Sequence, residues 1–257
     1  MRGIVLILVS LNICADILYS QNISTIPVMD ATFNVKPFEV DWGPWFQEIR
    51  QRSDGSIYLY SNDGWNIGVV KLDSEGHKLW DRYYEPGWAI GGFFIDSNGN
   101  SYTGYFNSFW DDKVYIRKFD SNGNANDIEV LIEGASYVEP INIVGIKSLN
   151  RLYIIVFYTK EIYDPEYQYT DGVVIKCYNT ITNEVTTVKD YTPATEFFNV
   201  EDIWHNEWGI FKGSEDGDIY YARHITVGGI TKLKVEKFNS DFSVRALVGE
   251  KKVGWSE

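Results

Sequence analysis

The stretch KLDSEGHKLW at residues 71–80 returns 47 positions later, in altered form, as KFDSNGNAND at residues 118–127. Both copies place a lysine, an apolar residue, an aspartate and a serine before a turn that carries a glycine. A phrase that recurs at a period of 20–50 residues is the signature of a repeat architecture, in which each copy is one supersecondary unit. The chain is therefore expected to consist of repeated units.

The repeat extends to four copies, which run approximately over residues 45–84, 89–133, 138–192 and 198–249. Tyr58 in the first copy corresponds to Tyr102 in the second, 44 residues later. The turn phrases that align with each other are SDGSIYLY (53–60), SNGNSYTGY (97–105), SLNRLYIIVF (148–157) and SEDGDIYYA (214–222). The lysines expected at one shared position of all four copies are Lys71, Lys118, Lys176 and Lys237.

Each copy contains four candidate strands, lettered A to D. In the second copy they are IGGFFI (90–95), NSYTGYF (100–106), VYIRKF (114–119) and DIEVLI (127–132). Runs rich in Ile, Val, Tyr and Phe, separated by Asp, Asn, Ser and Gly clusters, are the signal for strands and turns. Four antiparallel strands at this period predict a blade of a β-propeller, in which neighbouring blades cover each other's faces. The predicted fold class is an all-β propeller over residues 41–257.

The second copy also carries a family resemblance. DSNGNSYTGYFNSFWDDKVYIRKFDSNGN (96–124) resembles a repeat of bacterial exported β-propeller proteins, which opens with D-x-x-G-N-x-Y and continues with K-x-D-x-x-G-x-x-x-W. Residues 54–80 match its second half, including the closing Trp80, and the resemblance covers about residues 40–133. The later copies depart from the pattern, since Asn150 and Arg151 stand where the first glycine belongs. The resemblance implies the fold and export, and little about chemistry.

The end of the chain resembles the beginning of another blade. GEKKVGWSE (249–257) is similar to YEPGWAIGG (84–92), the entry to the second copy. Four copies followed by the start of a fifth favour an incomplete ring over a closed ring of four blades. In the alternative, ATFNVKPFEV (31–40) supplies a closing strand. An incomplete ring would leave sheet edges open for pairing.

The first 20 residues predict a secretory signal peptide. Arg2 precedes an apolar run over residues 4–13, which has the length of a signal-peptide core and is too short to cross a bilayer. We expect the mature protein to be secreted or to lie at the cell surface, without a membrane span. Residues 21–40 are then a linker or the closing strand.

The signal bears on both cysteines of the chain. Cleavage is expected after Ser20, with Ala15 as the alternative. Lipidation of Cys14 is a further alternative, although Ile13 stands where lipoprotein signals usually have a small residue. Removal of the signal leaves Cys177 as the single cysteine, so no disulfide can form within the chain. Cys177 lies in an apolar run and is expected to be a small buried side chain.

Composition limits the partner classes. Aromatic residues make up 16% of the chain, with 9 Trp and 18 Tyr, which suits a β-rich protein. The formal net charge of −13 argues against nucleic acid as a partner, because phosphate binding needs Lys and Arg. The oligomeric state is left open, and nothing in the sequence calls for a cofactor.

Motifs for catalysis and metal binding are missing from the sequence. His77, His205 and His224 fall at unrelated repeat positions, and no HExxH, GxSxG or glycine-rich phosphate loop occurs. DSNGNAND (120–127) begins like a calcium loop but has Ala125 where the EF-hand pattern requires glycine. Asp and Asn in such turns bond to the local backbone. No catalytic residue and no metal ligand is therefore predicted.

The loops divide into two sets. In a blade of alternating strands, the A–B and C–D loops share one face of the propeller, and the B–C and D–A loops share the other. The first set reads as short polar turns, whereas the second is predicted to be longer, aromatic and acidic. Binding residues concentrate on loops that a rigid scaffold carries. The candidate ligand-binding residues on the second face are Trp65, Trp88, Trp110, Tyr163, Tyr167, Tyr169, Asp111 and Asp112.

These residues suggest a binding or scaffold module that recognises a glycan or a protein partner. Trp and Tyr stack on the apolar faces of sugars, and they are also common anchors of protein interfaces. One alternative is a carbohydrate-active enzyme, a glycoside hydrolase or lyase, at the same face. Another is a purely structural repeat array. Trp65 and Trp110 could instead pack between blades, and the sequence leaves both possibilities open.

Overall fold

The computed structural model describes residues 46–162, 168–194, 209–227 and 230–252. The first two blades contain β1 (Phe46–Gln51), β2 (Ile57–Asn62), β3 (Ile67–Leu72), β4 (Lys78–Tyr84), β5 (Trp88–Ile95), β6 (Ser101–Phe106), β7 (Lys113–Phe119) and β8 (Ala125–Leu131). The last two contain β9 (Tyr137–Ile146), β10 (Arg151–Ile162), β11 (Gln168–Asn179), β12 (Val185–Tyr191), β13 (Ile210–Gly213), β14 (Ile219–Val227), β15 (Ile230–Phe238) and β16 (Arg245–Lys252). A single 3-10 turn, Lys147–Leu149, joins β9 to β10.

The strands form four sheets of four, and each sheet pairs its strands antiparallel in chain order. The sheets are arranged as a four-bladed β-propeller, which confirms the predicted fold class. The four strands predicted in the second copy correspond to β5, β6, β7 and β8, with ends that differ by one or two residues. Sheets of this kind stack because each blade has two apolar faces that a neighbour must cover.

Hydrophobic clusters fill the spaces between consecutive blades. Tyr58, Tyr60 and Trp80 of the first blade pack with Phe93 and Phe119 of the second. A second cluster lies between blades two and three, and a third between blades three and four. Side chains alternate between the two faces of a strand, so the second and third blades each contribute to a cluster on both sides.

The innermost strands β1, β5, β9 and β13 approach one another around the propeller axis. Phe93, Gly145 and Phe211 are among the residues that line a small cavity of about 30 Å³ there. Gly92 has a φ of +108°, and a Cβ atom at this position would lie 2.2 Å from the carbonyl oxygen of Ile143. Only glycine accommodates this backbone and this approach. The Gly91–Gly92 pair of the second copy therefore sets the spacing of β5 and β9.

The fourth blade contacts the first through an ion pair. Lys212 of β13 lies 2.9 Å from Glu48 of β1. The strand β16 ends at Lys252, and the remainder of the segment that resembles a fifth blade opening lies outside the described residues. The predicted signal peptide and residues 21–40 also lie outside them. The incomplete ring and the closing strand therefore stay predictions.

The shared lysine position holds in three blades and fails in the third. Lys71, Lys118 and Lys237 pair across the strands with Tyr58, Tyr102 and Tyr220, and each ammonium group lies 5.4–6.0 Å from the centre of that ring.

In the third blade Cys177 faces the corresponding Tyr153, so Lys176 is shifted by one residue. A shift of one residue turns a side chain to the opposite face of the sheet. Lys176 consequently points toward the preceding blade, where it forms an ion pair of 2.6 Å with Glu133. The side chain of Cys177 is buried, as expected, and burial raises its pKa to about 11.

The A–B and C–D loops, which we call the turn face, are closed by side chains that bond to their own backbone. Asp96 is almost fully buried and accepts hydrogen bonds from the amides of Asn98 and Asn100 and from the hydroxyl group of Tyr102. Asp120 of the C–D loop accepts backbone amides in the same way. These aspartates serve as turn formers, which is the reading that the sequence favoured over a calcium loop.

Candidate functional site

The B–C and D–A loops, which we call the aromatic face, join successive blades by one recurrent backbone contact. The amide of Ala89 donates to the carbonyl oxygen of Gly64 over 2.9 Å, and the amide of Val138 donates to that of Phe109 over 2.8 Å. In both cases an inner strand of the next blade bonds to the B–C loop of the preceding one. The residue after the accepting carbonyl is Trp65 in the first loop and Trp110 in the second. The two tryptophans are therefore structurally equivalent.

The loop that carries Trp65 is fixed by local hydrogen bonds. The carboxylate of Asp63 accepts the amides of Trp65 and Asn66 over 2.9 Å and 2.7 Å, and it also accepts the side-chain amide of Asn66. These bonds, led by the one from the Asn66 side chain, lower the pKa of Asp63. Gly64 has a φ of +93°, which suits glycine. Trp65 is thus presented by a closed turn.

The ring of Trp65 rests on the first aromatic residue of the next blade. Its centroid lies 3.9 Å from that of Trp88, with an angle of 35° between the ring planes. Trp65 still leaves 54% of its surface exposed. The two possibilities that the sequence left open are therefore both realised, because one side packs against the next blade and the rest faces solvent.

Trp110 repeats this arrangement one blade further on. Its ring meets that of Tyr137, the first residue of β9, edge to face at 5.5 Å, and 79% of its surface is exposed. Phe109 lies beneath it and contacts both Trp88 at 4.9 Å and Tyr137 at 5.7 Å. The amide of Trp110 donates to the hydroxyl oxygen of Ser108, which holds the loop in place.

Five rings consequently form one continuous series of contacts across three blades, which we call the aromatic row. Its members are Trp65, Trp88, Phe109, Trp110 and Tyr137. The candidate list from the sequence lacked Phe109 and Tyr137. The repeat carried a usable signal for Tyr137, because it begins strand A of the third blade as Trp88 begins strand A of the second.

Five carboxylates belong to the same loops or to the strand that follows, and we call them the acidic rim. Its members are Asp63, Glu85, Asp111, Asp112 and Glu139. Asp111 and Asp112 are half-buried in the B–C loop of the second blade, and the amide of Ile132 bonds to the carbonyl oxygen of Asp112 over 2.7 Å. Glu139 accepts a hydrogen bond of 3.2 Å from the hydroxyl group of Tyr137. Burial, together with this carboxylate, raises the pKa of Tyr137 to about 12.

The structure corrects one expectation about these loops. They were predicted to be longer than the polar turns, which holds for the loop at residues 107–112, but the loops at 63–66 and 85–87 are shorter than the turns at 52–56 and 73–77. What distinguishes the aromatic face in the first two blades is the type and exposure of its side chains. A short loop suffices because each aromatic ring is supported by the next blade.

Part of the candidate list lies outside the described residues. Tyr163 and Tyr167 belong to the segment 163–167, which is not described. The backbone of Tyr169 pairs with Glu161 in the third blade, but its side chain is not described. Their role in binding stays a prediction.

A raised pKa, which keeps the proton at neutral pH, is one mark of the acid in a glycosidase. Every described carboxyl group with a resolved pKa shift is lowered, Asp54, Asp63, Asp73, Asp120, Asp127, Glu133, Glu236 and Asp241. The described residues also bring together no group of three or more His, Cys, Asp or Glu side chains that could hold a metal ion. In the same part of the chain, no helix is long and apolar enough to cross a membrane.

The chain matches no protein-family model and no curated protein. Among solved structures it is similar to a protein from Lactobacillus plantarum, with 11% identity and a TM-score of 0.38 over 79% of this chain and 70% of that one. It is also similar to an ulvan lyase, a polysaccharide lyase, with 10% identity and a TM-score of 0.41 over 77% of this chain and 56% of that one. An exo-1,5-α-L-arabinanase from a bovine ruminal metagenomic library shares 15% identity and a TM-score of 0.36, over 78% and 76% of the two chains.

These similarities are too low to carry an argument about activity. The propeller architecture stands on the order and pairing of the strands themselves. Because no family model matches the chain, its membership in the bacterial repeat family that the sequence resembles stays a prediction.

Proposed function

We propose that this protein is an exported glycan-binding module, and that the aromatic row is its binding surface. The observation that carries the proposal is the exposure of Trp65 and Trp110, at 54% and 79%, on loops that are otherwise closed by hydrogen bonds. Rings held by a rigid scaffold lose little conformational freedom when a ligand binds, which favours affinity. Export follows from the signal peptide that the sequence predicts.

A glycan suits the row better than a protein partner does. The apolar faces of sugar rings stack on aromatic side chains, and sugar hydroxyl groups donate hydrogen bonds to carboxylates. The cores of protein interfaces are depleted in charged residues. On the aromatic face, by contrast, carboxylates of the acidic rim lie directly beside the rings, as Glu139 does beside Tyr137.

A glycan array tests the proposal with the mature chain. We expect binding to at least one glycan class, and a loss of at least about tenfold in affinity on Trp65→Ala or Trp110→Ala, as for interface anchors. Ile181→Ala is the matched control, because Ile181 is 67% exposed on a C–D loop of the opposite face. It should bind as the unmodified chain does.

Two results would contradict the proposal. One is that the folded protein binds no glycan. The other is that binding is unaffected by either tryptophan substitution. A partner protein captured through Trp65 and Trp110 without any glycan binding would favour the protein-recognition alternative instead. Breakdown of a bound sugar, abolished by a carboxylate substitution on this face, would favour the enzyme.

A further inference from the structure

The aromatic row contains the same contact twice, on adjacent blades. We propose that Trp65 and Trp110 form two equivalent subsites of one extended site, and that this site takes an uncharged oligosaccharide chain. The inference rests on the proposed glycan-binding function. It adds the class of sugar and the number of subsites.

The first argument is the equivalence of the two positions. Trp65 and Trp110 each follow the residue whose carbonyl oxygen accepts an amide from the next inner strand, and each ring contacts the residue that begins that strand. Each tryptophan also stays more than half exposed. If the exposed surface of Trp65 binds one sugar unit, the equivalent surface of Trp110 can therefore bind another.

The second argument is continuity. The rings of Trp88 and Phe109 lie 4.9 Å apart and join the two tryptophan pairs without a break. A linear ligand that lies along the row would run from one exposed tryptophan to the other over these half-buried rings. Once one of its units is bound, the next binds at a high effective concentration, so affinity rises with length until both subsites are filled.

The third argument is charge. The acidic rim comprises five carboxylates, in a chain whose formal net charge is −13. Recognition of carboxylate or sulfate groups relies on Arg and Lys. Lys113, the cation that follows Asp111 and Asp112 in the sequence, is already paired with Glu129 over 3.0 Å. The rim therefore repels acidic sugars, while its carboxylates accept hydrogen bonds from neutral hydroxyl groups.

The two subsites differ in how they are supported. Trp65 packs against Trp88 at an angle of 35°, with the ring centroids 3.9 Å apart, and the surface on its other side is available to a sugar. Trp110 meets Tyr137 edge to face, with an angle of 72°, and more of its surface is open. We expect both to contribute, each from the ring surface that its partner leaves uncovered.

Calorimetric titration of the mature chain tests this, with cello-, manno- and xylo-oligosaccharides of two to six units as neutral probes and oligogalacturonates of the same lengths as acidic probes. For a neutral series that binds, affinity should rise at least about tenfold from the dimer to the hexamer. Trp65→Ala and Trp110→Ala should each abolish that rise. Oligogalacturonates should bind at least about tenfold more weakly than the neutral series of the same length. Their affinity should increase in the Asp111→Asn/Asp112→Asn variant, because that variant removes two negative charges from the rim.

The outcomes separate the inference from the function on which it rests. Equal affinity for dimer and hexamer, with only one tryptophan sensitive, overturns the two subsites and leaves glycan binding intact. Equal or tighter binding of oligogalacturonates through the same tryptophans overturns the charge argument alone. If no neutral or acidic probe binds and the glycan array is also blank, both the proposed function and the inference fail. Ile181→Ala serves again as the control.

Discussion

Tryptophan has a different role on each of the two faces of the propeller. On the turn face, side chains of the first blade donate to carbonyl oxygens in the turns of the second, as Trp80 does to Ser121 over 3.1 Å and Arg82 to Gly123 over 2.7 Å. On the aromatic face the same two blades are joined by a backbone bond between Ala89 and Gly64. The backbone therefore joins the two blades here, and most of the Trp65 side chain remains exposed to solvent. A tryptophan buried in a seam stabilises the fold, whereas an exposed tryptophan on a braced loop is available to a ligand.

The largest expected effect separates two identical substitutions, one on each face. Trp80 is buried and packs against Phe119, so Trp80→Ala should lower the free energy of unfolding by about 3–5 kcal/mol. Trp110→Ala should lower it by less than about 1 kcal/mol, because the ring is mostly in water. Urea unfolding followed by circular dichroism measures both. Equal losses would refute the division of roles.

Aspartates provide the next comparison. Asp96→Ala removes the acceptor of two amides and of the Tyr102 hydroxyl group, and it should cost about 2–3 kcal/mol of unfolding free energy. Asp111→Ala on the aromatic face removes the acceptor of one amide, that of Asp112, from a half-buried side chain, and it should cost only about 0.5–1 kcal/mol. Thermal unfolding of the two variants beside the unmodified chain provides the measurement. A larger loss in Asp111→Ala would reverse the comparison.

The aspartates of the turn face should contribute to the pH dependence of stability. Hydrogen bonds lower the pKa of Asp73, chiefly that from the His77 amide, and of Asp120, chiefly that from the Asn124 side chain. A carboxyl group whose folded pKa is lowered contributes stability that is present above its unfolded pKa, near 3.8. That contribution is lost as the pH falls through the folded pKa.

The midpoint temperature of thermal unfolding should therefore decrease as the pH is lowered from about 5 to about 2. The decrease should be smaller in an Asp73→Asn/Asp120→Asn variant than in the unmodified chain. A matched variant, Asp111→Asn/Asp112→Asn, controls for the loss of two negative charges. If both variants respond to acid alike, the turn aspartates are not a source of the response.

The smallest expected effect concerns the loop beneath Trp65. Asp63→Ala removes the bonds that close this turn but leaves the ring contact with Trp88 intact. We expect the affinity for a bound glycan to fall about two- to twelvefold, which corresponds to roughly 0.5–1.5 kcal/mol for ordering a side chain that was held in place before. Thermal stability should hardly change. Unchanged affinity would show that Trp88 alone positions Trp65.

Much of the fold could be predicted because its signals are local. Alternating aromatic and β-branched residues between Asp, Asn and Gly turns specify strands wherever they occur, and repetition ties the strands into blades. Local patterns could not predict the register in which β11 pairs with β10. Lys176 matches the other lysines by position in the phrase, yet strand pairing places Cys177 opposite Tyr153, and one residue reverses the face.

Half of the candidate site could be found in the same way. Equivalent loop positions identified Trp65 and Trp110, and the acidic pair Asp111 and Asp112 beside the second. Tyr137 could have been found from its repeat position, whereas Phe109 could not, because its importance comes from a contact between blades. The bond from Val138 to Phe109 joins residues that no local pattern links.

The sequence by itself determined that this chain is a β-propeller with four repeats, polar turns on one face and aromatic residues on the other. Periodicity and turn chemistry act over a few residues, so they can be read along the chain. Only the tertiary structure decided which aromatics are buried and which are open. The sequence left open whether Trp65 and Trp110 pack between blades, and the neighbouring blade supports one side of each ring and leaves the rest in solvent. Exposure depends on what the next blade covers, and that is a property of packing between blades.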